Sequence, residues 1–280
     1  MEDRERRALQ GAADFDYDDW QQPNLSELGL GCFMRYLILS DIHANVTALD
    51  TVLADAKGRW DAAVCLGDIV GYGPDPNEAL DRIRELNCVT IRGNHDKAIA
   101  GITEAEDFNP VARTAVLWSR DRLTSDNLGY LSNLRQGPVF VDGFCIVHGS
   151  IRDEDEYLFV PPQAIEELRI APTVLTFFGH THRQGGFMQR RNGLAVINFE
   201  PSDRTLIWTL PVEEGGTYLL NPGSIGQPRD GDPRAAYAIA DTEKGTVEFW
   251  RVAYDIEAVQ QRMLDALLPE PLILRLAVGR

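Results

Sequence analysis

The residues of this sequence best suited to chemistry are polar side chains that directly follow apolar runs. All five histidines of the chain occupy such positions, together with two aspartates and one asparagine. A lone histidine is more often a surface or core residue than a metal ligand, but five in the same kind of position favour one shared site. The positions are Asp41, His43, Asp68, Asn94, His95, His148, His180 and His182.

A metal centre is the chemistry that this set of residue types indicates. Leaving out His95, seven candidate ligands remain, which is too many for one tetrahedral zinc ion. They suit two ions about 3.5–4 Å apart, bridged by a carboxylate and a water. Oxygen and nitrogen donors without thiolate favour transition metals over calcium or magnesium. We expect manganese first, with iron, zinc, nickel or cobalt as alternatives.

Asp41 and His43 illustrate how much the single motifs leave open. On an extended backbone, residues two apart point to the same side, so both side chains can share one ion. An aspartate at a strand-to-helix junction is also a common helix N-cap. The later strand ends favour the ligand interpretation for Asp41 and leave the capping role to Asn45.

The elements that must position these residues begin with a β-α-β pattern. Hydrophobic periodicity predicts strands at 36–40, 62–66 and 88–91, and helices at 45–56 and 76–86. This alternation predicts parallel strands. Asp41, Asp68 and Asn94 are 27 and 26 residues apart, about one β-α-β unit each. We expect them side by side at the carboxyl edge of the sheet, where α/β proteins bind ligands.

The second half of the chain predicts a different kind of sheet. Two helices are expected first, one beginning at Asn109-Pro110 and one capped by Ser125, followed by a hairpin around Asp142-Gly143. A helix at 165–169 and a strand at 173–178 come next. Short alternating segments then predict a second, largely antiparallel sheet, and a final helix spans 256–268. The segments are 187–189, 194–198, 205–208, 217–220, 236–240 and 246–252.

Composition and charge restrict the partners. A net charge of −16 argues against an extended nucleic-acid footprint, which needs clustered Lys and Arg. No apolar run approaches the ~20 residues of a membrane span. Four scattered cysteines without a Cys-x-x-Cys pair favour a reducing compartment, the cytoplasm. Residues 1–33 are acidic and lack periodicity, so we predict a disordered or loosely attached arm before one domain at 34–280. The sequence predicts no oligomeric state.

The order of the motifs resembles the calcineurin-like metallophosphoesterase superfamily over about residues 35–255. Within it, the segments 67–74 and 221–224 are similar to the small bacterial and archaeal phosphodiesterase-type members. The resemblance implies an α/β fold: a four-layer α/β/β/α sandwich of two mixed sheets, with a dinuclear metal site at the strand C-terminal ends. The matching motifs are Asp41-Ile42-His43, Gly67-Asp68, Gly93-Asn94-His95-Asp96, His148 and Gly179-His180-Thr181-His182.

The resemblance also implies roles for these residues. One ion would bind Asp41, His43, Asp68 and His182, and the other Asp68, Asn94, His148 and His180. Two cations lower the pKa of a bridging water, so that hydroxide can attack phosphorus in line. His95 would be the catalytic residue, either as general acid or as a stabiliser of phosphoryl charge. Asn94 and Tyr72 are candidate substrate contacts.

One departure from the superfamily bears on the substrate. Phosphoprotein phosphatases carry Gly-Asp-x-x-Asp-Arg-Gly at the second motif, and Gly71 and Tyr72 stand in place of the second Asp and the Arg. Without that arginine a dianionic phosphate loses a bidentate contact, which favours a small phosphodiester. The alternatives are a phosphomonoesterase, a dinucleoside polyphosphate hydrolase, or a non-catalytic scaffold. Asp96 either orients His95 or caps a helix.

Overall fold

Two mixed β-sheets packed face to face position the predicted site. A computed structural model describes residues 34–280, and the predicted acidic arm, residues 1–33, lies outside them. The strands are β1 Arg35–Leu39, β2 Ala62–Cys65, β3 Val89–Thr90, β4 Val139–Val141, β5 Phe144–Ile146, β6 Leu175–Phe177, β7 Gly185–Arg190, β8 Gly193–Asn198, β9 Leu206–Pro211, β10 Thr217–Asn221, β11 Ala235–Asp241 and β12 Thr246–Val252.

The helices of the described residues cover the outer faces of the two sheets and the site end of the molecule. A short 3₁₀ turn at Ala105–Asp107 precedes the fourth of them. The helices are α1 Val46–Asp55, α2 Pro76–Glu85, α3 Asn94–Ile99, α4 Pro110–Arg120, α5 Ser125–Ser132, α6 Pro161–Ile170, α7 Ile256–Asp265 and α8 Glu270–Leu276. Within residues 34–280, none is both long and apolar enough to cross a membrane.

The strand orders confirm the parallel core that the sequence predicts and correct the assignment of later strands. The first sheet has the order β3-β2-β1-β11-β12-β9, and the second β4-β5-β6-β10-β7-β8. β1, β2 and β3 are parallel. The prediction that all late segments form the second sheet is wrong for β9, β11 and β12, because β11 pairs antiparallel with β1. Every residue of β11 is buried, as its central position requires.

Alternating residues of β1 show how the layers are held together. Leu37 and Leu39 face α1, while Ile38 faces the second sheet, in a cluster with Phe177 and Leu220. Burying each such side chain contributes roughly 1.5–3 kcal/mol. On the far side, α6 packs onto the outer face of the second sheet in a separate cluster. The predicted α/β/β/α sandwich of two mixed sheets is confirmed.

Helix ends agree with the sequence except at two places. Asn45 caps α1 as predicted, since its Oδ1 accepts the N–H of Ala48 at 3.1 Å. The cap of α5 is Thr124 and not Ser125, because the hydroxyl oxygen of Thr124 accepts the N–H of Asn127. The final helix ends at Asp265, followed by Leu267 at a φ of 57°. The left-handed conformation stops α7, and α8 was not predicted.

Both sheets contribute strand ends to one edge of the molecule. Asp41 and Asp68 follow β1 and β2 of the first sheet, and Asn94 begins α3 just after β3. His148 and His180 follow β5 and β6 of the second sheet. The main-chain N–H of His180 donates to the carboxylate of Asp41 at 3.2 Å, so the two sheets meet at the predicted ligands.

Candidate metal centre

Two groups of buried histidines and aspartates lie at this edge, and the predicted residues account for all of their members. The ligand atoms within each group lie within 4.8 Å of one another. Asp68 belongs to both groups. We call Asp41, His43, Asp68 and His182 the first ligand group, and Asp68, His148 and His180 the second ligand group. Asn94 lies beside the second, with its Oδ1 3.3 Å from His148 Nε2.

Left-handed backbone brings these side chains together. Ordinary L-residues rarely adopt this conformation, and its occurrence concentrates at functional sites. The expectation that Asp41 and His43 share a side because the strand is extended is therefore wrong, since β1 ends at Leu39. The positive φ angles are 52° at Asp41, 49° at His43, 52° at Asp68, 63° at His180 and 57° at His182.

Asp41 is held by donors from both sheets. The Ser40 hydroxyl donates to its Oδ2 at 2.6 Å, and the Ser224 hydroxyl donates to its main-chain oxygen at 2.8 Å. Burial raises the pKa of Asp41 to about 6. Asp41 caps no helix, and the capping interpretation applies to Asn45 instead.

Asp68 has the geometry of a bridging carboxylate. Its Oδ2 lies 3.6 Å from His43 Nε2 and 3.4 Å from His148 Nε2, while its Oδ1 accepts the His95 N–H at 2.9 Å. A Cβ on Gly93 would stand 2.2 Å from Asp68 Oδ1, so only glycine fits there. Burial raises the pKa of Asp68, but the charges of His148 and His95 outweigh it and hold the pKa well below its usual range.

The two imidazoles of the first ligand group test whether a metal fits. His43 Nδ1 lies 3.2 Å from the Val70 carbonyl, and His182 Nδ1 lies 2.6 Å from the Gln227 carbonyl. Each Nδ1 must carry the proton to donate to its carbonyl. Burial holds the pKa of both rings well below the usual value, so both are neutral. Their unprotonated Nε2 atoms then face each other at 3.0 Å. Two facing lone pairs repel unless a cation lies between them, so the donor set fits a metal.

The second ligand group holds its excess negative charge differently. His148 Nδ1 donates to the Leu66 carbonyl at 2.8 Å. Burial lowers the pKa of His148, but Asp68 and Asp41 outweigh it and raise the pKa to about 10. A proton on His148 therefore offsets the carboxylates where a bound cation would do so. His180 Nε2 donates to the Asp155 carbonyl at 3.1 Å, which leaves Nδ1 as the ligand atom.

The segment 221–224 lies under the site, as the sequence predicts. The Asn221 side-chain amide donates to the Gly179 carbonyl at 2.8 Å and to the Thr181 hydroxyl at 3.0 Å. These bonds hold the loop that presents His180 and His182. The turn thus positions ligands and touches none of the cavity.

His95 stands at the opening of the centre. Its ring centroid lies 4.9 Å from that of His43 and 4.3 Å from that of Tyr72. Its Nδ1 is buried without a hydrogen-bond partner. A Cβ on Gly71 would lie 2.5 Å from this nitrogen, so the glycine makes room for the ring. Burial lowers the pKa of His95 to about 4.

The structure decides the role of Asp96 that the sequence leaves open. Its carboxylate accepts three main-chain N–H groups, from Gly93 at 3.0 Å, Ile69 at 2.9 Å and Val70 at 3.2 Å. These bonds cap α3 and fasten it to the loop that carries Asp68. Asp96 therefore acts as a cap and does not orient His95.

A cavity of about 280 Å³ opens onto the second ligand group and not onto the first. Asn94, His95 and His180 line its floor, and Tyr72 lies on its wall. Phe108 and Tyr157 complete an aromatic surround, with Tyr157 stacked on His180 at 3.7 Å between centroids. Sequence reasoning missed Phe108 and Tyr157, since each lies in a loop outside every motif.

Comparisons with known proteins agree with this geometry. A model of the calcineurin-like phosphoesterase superfamily domain matches residues 34–245. An uncharacterised protein of Methanocaldococcus jannaschii is 36% identical over 253 residues, which cover 87% of this chain and 97% of that protein. A crystal structure of a metallophosphoesterase from Sphaerobacter thermophilus is 42% identical with a TM-score of 0.75, covering 89% of this chain and 100% of that one. A hypothetical protein from Pyrococcus horikoshii shares the fold at 22% identity, with a TM-score of 0.71 over 88% of this chain and 98% of its own.

Proposed function

The chain belongs to the calcineurin-like phosphoesterase superfamily, and from this premise we propose that it hydrolyses a small phosphodiester with two bound divalent transition-metal ions. Family membership and the buried aspartates and histidines indicate a metal-dependent phosphoesterase. The preference for a diester and the choice of manganese are our own proposals.

The observation that carries the proposal is the contact between His43 and His182. Two neutral imidazole nitrogens 3.0 Å apart, each with its proton committed to a carbonyl, are arranged to share a cation. A purely structural histidine pair would instead form a hydrogen bond, with one nitrogen protonated. The arrangement therefore supports metal binding independently of the family.

The ligand assignment follows the two groups. The first ion would be held by the first ligand group, and the second ion by the second ligand group together with Asn94. When bound, the two ions would supply an acidified water as nucleophile and positive charge to neutralise the phosphoryl oxygens. Asp68 would bind both ions through the oxygen that lies between His43 and His148.

His95 would serve the leaving group. In the free protein it is neutral, because burial lowers its pKa to about 4. An anionic phosphoester beside the ring favours the protonated form and raises that pKa. A protonated His95 could then donate to the departing oxygen or stabilise the phosphoryl charge. Its unpartnered Nδ1 and its place on the cavity floor support this role.

The cavity and the net charge support a small substrate. A volume of about 280 Å³ lies at the lower end of ligand pockets, which run from about 300 to 1,000 Å³. Asn94 and Tyr72 face that volume and are the proposed substrate contacts. The absence of an arginine at position 72 supports a diester over a phosphoprotein. The free, buried thiols of Cys65 and Cys145 support a reducing compartment, the cytoplasm.

Hydrolysis of bis-p-nitrophenyl phosphate and p-nitrophenyl phosphate by the full chain, with Mn²⁺ present, tests the proposal. We expect faster turnover of the diester, loss of activity with a chelator, and recovery on adding Mn²⁺. Parallel reconstitution with Fe²⁺, Zn²⁺, Ni²⁺ and Co²⁺ ranks the metals. Faster turnover of the monoester would favour a phosphomonoesterase, and hydrolysis of dinucleoside polyphosphates alone would favour that third class.

The non-catalytic scaffold remains the competing class. It predicts that wild type and His95→Ala are equally inactive on a broad panel of phosphoesters. The buried His95, with no structural partner for its Nδ1, supports the enzyme instead.

A further inference from the structure

Arg229 lies on the same loop that holds the His182 ligand. The loop between β10 and β11 contributes the Gln227 carbonyl, which accepts the His182 Nδ1–H. Two residues later the Arg229 N–H donates to the His182 carbonyl at 3.1 Å. One Nη of Arg229 donates to Gln227 Oε1 at 2.9 Å. The position of the Arg229 main chain is thus fixed by the first ligand group.

The guanidinium of Arg229 is directed towards the opening of the metal centre. Its Cζ lies 5.6 Å from the centroid of the Tyr72 ring, and that ring is 4.5 Å from His43 and 4.3 Å from His95. After burial, the positive charge of Arg229 is the largest influence that lowers the pKa of His182. The charge therefore acts directly on the candidate metal ligands.

This guanidinium has no carboxylate partner among residues 34–280. The adjacent Asp230 pairs with Arg251 instead. The Arg229 Nε is buried without a hydrogen-bond partner. Buried charges normally have a partner of opposite sign, and two divalent cations nearby would repel this one. Arg229 is therefore arranged for an anion that is shared with the metal centre.

We propose that Arg229 binds a phosphoryl oxygen of the substrate and of the phosphate product. It would supply, from the β10–β11 loop, the guanidinium that phosphoprotein phosphatases place at the position of Tyr72. A guanidinium offers paired donors that match phosphate oxygens. Tyr72 would then support Arg229, and hydrogen bonding to Arg229 does lower the pKa of Tyr72, which burial raises.

The charge class of the substrate follows from this contact. A diester carries one negative charge and a monoester or inorganic phosphate about two, so the loss of Arg229 should weaken binding of the dianions more. The missing arginine at position 72 then no longer argues against a monoester. This inference rests on the proposed function only where it concerns turnover, because phosphate binding can be measured without it.

Binding of inorganic phosphate to the Mn²⁺-loaded full chain, measured by calorimetry, tests the inference. Arg229→Met should weaken phosphate binding by roughly 10- to 100-fold, the range for a charged hydrogen bond. Arg229→Lys should recover part of the loss, since it keeps the charge and loses the paired donors. Arg183→Met is the matched control, because Arg183 is exposed and lies over Phe159 at 5.3 Å; it should change binding less than about twofold.

Two further readouts separate the possible failures. Arg229→Met must keep the wild-type Mn²⁺ content and melting temperature, and with bis-p-nitrophenyl phosphate it should raise KM more than it lowers kcat. Unchanged phosphate affinity in a metal-replete Arg229→Met protein overturns the inference, even if the enzyme is active. Arg229-dependent phosphate binding in a protein that hydrolyses no phosphoester supports the inference and refutes the proposed function.

Discussion

The two ligand groups differ in what holds them and in what they face. The first ligand group is fastened to main-chain carbonyls of the core, at Val70 and Gln227, and does not line the cavity. The second ligand group, with the half-buried Asn94, faces the cavity through His180. A closed group suits an ion that stays bound, and an open one suits an ion that meets the substrate.

The support of His180 sharpens this contrast. Its Nε2 donates to the carbonyl of Asp155, and the Asp155 carboxylate pairs with Lys97 Nζ at 2.5 Å. Lys97 also pairs with the buried Glu154 at 3.0 Å, which in turn pairs with Arg92. The second ligand group therefore depends on an ion-pair network, while the first depends on hydrogen bonds inside the core.

Replacing the shared carboxylate should produce the largest effect and remove the contrast altogether. Asp68→Asn keeps the size of the side chain and its acceptor for the His95 N–H, but it loses the charge that both ions require. We expect no measurable turnover and fewer than two Mn²⁺ per chain by elemental analysis. Asp61→Asn, at an exposed surface pair, is the control. Two tightly bound ions in Asp68→Asn would contradict the bridging assignment.

His95→Ala should lower activity strongly without changing metal content, because His95 touches the cavity and is not a proposed ligand. General acid catalysis contributes about 10²- to 10⁴-fold. The loss should be large for esters with an alkyl leaving group and small for p-nitrophenyl esters, whose leaving group needs no proton. Equal losses for both leaving groups would assign His95 to phosphoryl charge stabilisation instead of proton donation.

Asn94→Ala should affect only one of the two ions and so test the contrast between the groups. We expect a loss of roughly 10- to 100-fold in the affinity of the weaker Mn²⁺, similar to the loss of other supporting groups. The stronger ion should bind as in wild type. Calorimetric titration of the metal-free chain with Mn²⁺ resolves the two events. A parallel weakening of both ions means that the groups do not act separately.

Lys97→Met should weaken the network behind His180 and lower the free energy of unfolding by about 1–3 kcal/mol, the usual cost of leaving a buried polar group unpaired. Lys57→Met, on the exposed end of α1, serves as the control. Chemical denaturation at neutral pH measures both. A cost no greater than that of the control would show that the network does not stabilise the fold.

The same variant predicts a dependence on pH. Burial raises the pKa of Glu154, but pairing with Arg92 and Lys97 outweighs it and lowers the pKa in the folded protein. A lowered pKa adds stability above the unfolded value, and this stability is lost as the pH falls through the folded value. The difference in stability between wild type and Lys97→Met should therefore narrow in acid. A constant difference across that range excludes Glu154 as the responsible group.

The sequence predicts the site better than the sheets. Asp41, Asp68 and Asn94 can be recognised because parallel strands deliver their carboxyl ends to one edge. The position of β11 beside β1 cannot be read in the same way. Alternation of apolar residues reports which face of a strand is buried, and it does not report which sheet the strand joins.

Residues that reach the site from irregular segments are the ones that sequence reasoning misses. Arg229, Tyr157 and Phe108 lie in loops whose path depends on tertiary contacts, such as the bond from the Arg229 N–H to the His182 carbonyl. The left-handed conformation of the ligands is equally hidden, since Asp and His carry no obligatory signal for it. An arginine just after the turn at 221–224 is the one hint that the sequence offers.

The most direct test of the central claim is anomalous diffraction from crystals of the full chain grown with Mn²⁺. We expect two manganese peaks about 3.5–4 Å apart. One should lie against Asp41, His43 and His182, and the other against Asn94, His148 and His180, with Asp68 touching both. The absence of manganese from both ligand groups at saturating Mn²⁺, or its binding only elsewhere on the chain, would contradict the proposed dinuclear centre.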